Sequence, residues 1–182
     1  DGTATIIGSF LVLSVLTAFW FIATRMSPDT WVPILILVGA LVVSIPICVW
    51  LSSNPRDLKL RKLLIAGLIF ELGFTFARYY VVEVSYEGVA DAGQYHNAAL
   101  TFLQNLRQGH WSLEGANLDS FGDQTKFVGY LTGMLYTVVG PTYMGGFLAF
   151  SWVCWFGLVL FFQAFRITYP DARPYLAAVL LF

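Results

Sequence analysis

Long apolar runs separated by short polar ones organise this chain. Residues 4–26, 31–51, 63–82 and 145–165 each approach the roughly 20 apolar residues a helix needs to cross a bilayer, and a further run starts near Pro174 and continues to Phe182. Between the third and fourth runs the pattern changes. Over 92–108, Tyr95, Ala99, Phe102, Leu103 and Leu106 recur at helical spacing, His96, Asn97, Gln104, Asn105 and Arg107 fall on other faces, and Gly109 stands where a helix would end. Residues 127–140, FVGYLTGMLYTVVG, form an apolar stretch of about 14 residues that Gly140 and Pro141 stop, too short to span and suited to lying in the interface. The stretch between these two, HWSLEGANLDSFGDQT, has loop composition.

The pattern predicts an all-α fold: a polytopic transmembrane helix bundle with a long external loop containing amphipathic juxtamembrane helices. Residues 1–82 hold three transmembrane helices, 83–144 the external loop, and 145–182 a fourth span and the start of another. The chain begins with Asp1 rather than Met and ends inside an apolar run, so further spans are expected beyond it. The first run has no basic segment ahead of it and is too long for a signal-peptide core, so it reads as a retained span.

Composition agrees with a lipid setting. Hydrophobic residues make up 58% of the 182 residues and charged ones 12%, about half the share usual in a soluble domain. Neither the net charge of −1 nor any basic, aromatic-interleaved stripe suggests nucleic acid. Charge also orients the spans. The loop SSNPRDLKLRK carries Arg56, Lys59, Arg61 and Lys62 against Asp57, which favours the cytoplasmic side. The 83–144 segment then lies outside, with Glu83, Glu87, Asp91, Glu114, Asp119 and Asp123 against Arg107 and Lys126.

Candidate chemistry is sparse. Cys48 and Cys154 sit in apolar runs without metal-ligand spacing, and His96 and His110 lack partners at zinc spacing. Glu71 falls near the middle of the third span, where an ionisable residue marks a functional site or needs a partner, and none is identifiable from the sequence. Arg78 lies two turns further out on the same face, within reach of the interface or a phosphate. Glu83, Glu87 and Asp91 would align only if the third helix continued past Gly88; divalent-metal binding is left open, and no metal site is assigned. DAGQ, Asp91 to Gln94, has the form of a helix cap. The GxxxG of Gly129 and Gly133 is a packing signal common in apolar helices.

The succession of elements resembles the GT-C superfamily of integral-membrane glycosyltransferases, especially the branch of protein O-mannosyltransferases, aminoarabinose transferases and actinobacterial cell-wall sugar transferases. The resemblance rests on an outward span, DAGQYH opening the external loop, an amphipathic helix ending in Gly-His-Trp, and TKFVGYLTGMLYTVVGP before an inward span, over about residues 82–182. The two spans before residue 63 depart from the family plan, as does the missing second acidic residue beside Asp91. The resemblance implies inverting transfer of a sugar from a polyprenyl-phosphate donor to a glycan, lipid or protein acceptor, on the extracytoplasmic face of a bacterial plasma membrane. Asp91 would be the general base, and Arg78, Tyr95, His96, Lys126 and Glu87 would bind substrate. A surface-polysaccharide polymerase or ligase, and a non-enzymatic transporter or scaffold with Asp91 only a cap, are the alternatives.

Overall fold

A computed structural model describes residues 13–14, 17–18, 20–21, 24–52, 58–87, 90–116 and 123–169. The expected span at 4–26 lies mostly outside the described residues, and the run after Pro174 lies wholly outside them. The described residues form helices and loops, with no strand among them. The helices are α1 (Pro28–Leu51), α2 (Leu58–Tyr80), α3 (Asp91–Arg107), α4 (Asp123–Val139) and α5 (Tyr143–Thr168). A π-helical turn, Val81–Ser85, continues α2.

Two of these, α1 and α5, are long and apolar enough to cross a membrane. The expectation at 63–82 corresponds to α2 and its π turn, which carry the Glu71–Arg78 ion pair within them. All three expose large apolar side chains, Val42 and Trp50 on α1, Ile69 and Phe76 on α2, and Phe161 and Ile167 on α5 among them. Such an apolar exterior fits membrane association.

The first layer is a three-helix bundle of α1, α2 and α5. Its core joins Ala40 and Cys48 of α1, Leu64, Leu68 and Leu72 of α2, and Leu148, Trp155, Val159 and Phe162 of α5. Polar groups cross-link the same helices. Trp152 Nε1 donates to the buried Ser44 Oγ at 2.8 Å, tying α5 to α1. Arg61 donates from Nε to Ser52 Oγ at 3.1 Å and from Nη2 to the Ser52 carbonyl at 3.0 Å, closing the α1–α2 turn. A helix C-terminus exposes unsatisfied carbonyls, and a guanidinium there both satisfies them and complements the dipole.

These contacts make α2 antiparallel to α1 and α5, with the α1–α2 turn at one end of the bundle. At the opposite end, where α2 finishes and α5 begins, α3 and α4 pack as a second layer. Its centre is Phe102 of α3, fully buried, with the Trp111 ring edge-on at 5.0 Å and that of Tyr130 at 5.7 Å. Gly133 of α4 makes room for Phe102: a Cβ there would lie 2.5 Å from the Phe102 ring. The second glycine of the GxxxG signal therefore serves α3–α4 packing.

Two local expectations change, and one condition left open is settled. The helix expected at 127–140 begins at Asp123, so Lys126 falls in its first turn rather than ahead of it. The cap of α3 is not Asp91: the extended Ala90 is the N-cap, and its carbonyl takes the N–H groups of Gly93 at 2.9 Å and Gln94 at 3.3 Å. Asp91 instead occupies the first turn, where its charge favours the helix dipole. Finally, Glu87 adopts φ +51°, a left-handed conformation that ends any helical continuity from α2. Glu83, Glu87 and Asp91 therefore do not share a helical face, and no His, Cys, Asp and Glu cluster among the described residues could hold a metal ion.

Candidate functional site

Where the two layers meet, the helices enclose a cavity of about 370 Å³. It is lined by Arg78 from α2, by Ala92, Tyr95 and His96 from α3, by Val128, Thr132 and Tyr136 from α4, and by one face of α5 from Tyr143 to Cys154. Helical spacing explains the set. Ala92, Tyr95 and His96 lie three and four residues apart, as do Val128, Thr132 and Tyr136, so each helix offers one stripe. Asp91, one turn before Tyr95, borders that stripe but is not among the lining residues. At about 100° per residue it lies some 40° around α3 from Tyr95 and some 140° from His96, and the residue is exposed.

The outer part of the cavity is organised around His96. Its Nδ1 shares a 2.7 Å hydrogen bond with Tyr136 Oη, either group donating according to the imidazole tautomer. The Tyr143 ring lies 5.0 Å from the imidazole, and Phe147 and Tyr79 pack on Tyr143 at 5.3 and 5.8 Å. Among the described residues His96 Nε2 has no hydrogen-bond partner, and the buried Tyr143 hydroxyl likewise has none. An unmet buried hydroxyl costs about 1–3 kcal/mol, which makes the Tyr143 hydroxyl a ready partner for a polar ligand.

Burial sets the protonation states here. Desolvation pushes the His96 pKa below its ordinary 6.5, the charge of Asp29 opposing it, so the ring is neutral at pH 7. Desolvation, helped by Tyr143 and Asp29, raises the Tyr136 phenol far above its usual value and keeps it protonated. Close approach of α5 makes their contact possible. Gly146 faces Tyr136, and a Cβ on it would lie 3.0 Å from Tyr136 Oη.

Deeper in, Arg78 Nη1 donates to Glu71 Oε1 at 2.9 Å and, at 3.5 Å, to Ser151 Oγ. Glu71 thus has a partner two turns along its own helix, and the pair is neutral as a unit. The Arg78 side chain is 43% exposed, and its guanidinium lies 5.2 Å from the Phe74 ring centre. It enters the cavity as a hydrogen-bond donor whose charge is already matched, a weaker attractor for phosphate than a lone cation.

Of the residues expected to bind or react, the cavity gathers Arg78, Tyr95 and His96. Asp91 stands one residue from the lining Ala92, while Lys126 and Glu87 are exposed and outside the lining. Sequence reading missed Tyr136, Tyr143 and Ser151. The signal for the first was its spacing of four and eight residues from Thr132 and Val128; for the others it was the polar positions along α5. No protein-family model, curated protein or solved structure matches this chain.

Proposed function

We propose that this chain forms part of a multi-pass membrane glycosyltransferase that moves a sugar from a polyprenyl-phosphate donor to an acceptor hydroxyl at the extracytoplasmic surface. One observation carries the reading: a cavity at the end of the bundle away from the α1–α2 turn combines an arginine, a neutral histidine and several aromatic rings. Each part suits the chemistry. Aromatic faces stack on sugar rings and on prenyl chain, Arg78 offers donors to a departing phosphate, and a neutral base near the acceptor lowers the barrier to attack at the anomeric carbon. The orientation follows from the basic residues of the α1–α2 turn, which favour the cytoplasm. In that orientation α1 and α5 run inward and α2 outward.

The test is transfer of labelled sugar in membranes containing the protein, supplied with polyprenyl-phosphate-linked glucose, mannose or arabinose. Transfer that depends on Arg78, lost in Arg78→Ala with the fold retained, supports the reading. Absence of transfer from every donor removes it. Asp91→Asn in the same assay asks whether the carboxylate at the start of α3 is needed at all.

A further inference from the structure

We propose that His96, held by Tyr136, accepts the proton of the acceptor hydroxyl. This rests on the transferase reading and reassigns its base from Asp91.

The geometry separates the two candidates. Asp91 is exposed, lies outside the cavity lining and accepts no hydrogen bond among the described residues. His96 lines the cavity, is neutral, and has Nδ1 engaged by Tyr136 at 2.7 Å. That hydrogen bond defines the ring's two roles. With Nδ1–H donating to Tyr136 Oη, the lone pair on Nε2 is the remaining polar site of an imidazole that lines the cavity. Tyr136 is then a positioning residue: it holds the ring in place and, as acceptor for Nδ1–H, supports the imidazolium once formed. Gly146 keeps the arrangement compact, because any side chain there would press on the Tyr136 ring.

The step balances. The acceptor oxygen forms its bond to the anomeric carbon as its O–H bond breaks and the proton moves to His96 Nε2. The bond from the anomeric carbon to the phosphate oxygen breaks at the same centre, and its electron pair leaves on the polyprenyl phosphate. The groups facing the imidazole are Tyr136 on α4, Tyr143 on α5, the charge-matched Arg78 with Glu71 on α2, and more remotely Asp29 on α1. Among these Asp29 is the one that raises the imidazole pKa, and burial outweighs it.

The experiment is the pH dependence of sugar transfer by the membrane-embedded protein, as wild type, His96→Gln, Tyr136→Phe and Asp91→Asn, with thermal unfolding to check each fold. The wild type should lose activity as pH falls below about 6.5, where the imidazole begins to take a proton. His96→Gln should lose about 100-fold or more in rate and lose that acidic limb. Tyr136→Phe should keep the limb but displace it, at a reduced rate. Asp91→Asn, whatever its rate, should retain the limb. Retention of the limb in His96→Gln with its loss in Asp91→Asn overturns the assignment and leaves the transferase reading standing. No transfer by the wild type overturns both. A second readout needs no turnover: diethyl pyrocarbonate should modify His96 at Nε2 in a His110→Gln background. An Nε2 that resists the reagent in the folded protein overturns the proposal as well.

Discussion

Replacing Gly133 with Ala should destabilise the α3–α4 layer, although alanine is the better helix former. The added Cβ would lie 2.5, 2.8 and 3.0 Å from Cδ1, Cγ and Cβ of Phe102, against an optimum near 3.5–4.0 Å. Relief requires the ring to retreat by about 1 Å. Phe102 has nowhere to go, since it is fully buried with Trp111 and Tyr130 against it. Overpacking of this kind costs about 1–3 kcal/mol. The helix-propensity gain of Gly to Ala returns about 1 kcal/mol, so the upper part of the range should survive as a net loss of about 1–2 kcal/mol. Gly73 on α2 supplies the control, because a Cβ there meets nothing within 4 Å. Gly73→Ala should be neutral or stabilising. Thermal unfolding of both variants in one detergent would measure the contrast, with Gly133→Ala melting several degrees below Gly73→Ala. A Phe102→Ala change should cost less in the Gly133→Ala background than in the wild type, since the two residues share one space. Equal melting temperatures for the two alanine variants would refute the packing argument.

Cys154 lines the cavity and is exposed, whereas Cys48 is fully buried, so a benzyl methanethiosulfonate should label Cys154 alone and block transfer; Cys154→Ser should be resistant, and mass spectrometry gives the site. Glu71→Gln should cost about 1–2 kcal/mol, below the ~3–5 of a fully enclosed pair, because Arg78 is 43% exposed; Glu71→Gln with Arg78→Met should recover most of the loss in the same melting assay. His96 makes stability depend on pH. Its folded pKa lies below the unfolded value of 6.5, so the unfolded chain binds more protons in that window, and stability should fall as pH drops below about 6.5. Replacing His96 with Gln should flatten the melting temperature between pH 7 and pH 5, and an unchanged slope would count against burial as the cause.

Much of the fold was legible because it is written in apolar period. The stripe from Tyr95 to Leu106 placed α3, and Gly109, at φ +83°, stands just beyond its end as expected. The start of α4 was not legible, because Asp123 and Gln124 have loop composition and are helical only as the first turn of an apolar run. DAGQ resembled a cap, yet Ala90 took that role through its backbone alone, which no side-chain pattern announces. The site divides in the same way. Arg78, Tyr95 and His96 stood out as polar residues near an interface. Tyr136 and Tyr143 looked like ordinary members of apolar helices, and they acquire a role only when α4 and α5 close on His96. The partner of Glu71 was in view as Arg78, two turns away, but a side-chain contact across two turns depends on rotamers and on the Phe74 ring beneath the guanidinium.

That last contact bears on the order in which the protein is assembled. Both charges of the pair belong to α2, and the hydrogen bond between them spans only the helix itself. Once α2 has coiled, its acid and base neutralise each other without waiting for α5, whose Ser151 adds a longer contact at 3.5 Å. Glu71 therefore never depends on a neighbouring helix for its partner. The later arrival of α5 then encloses a pair that already exists.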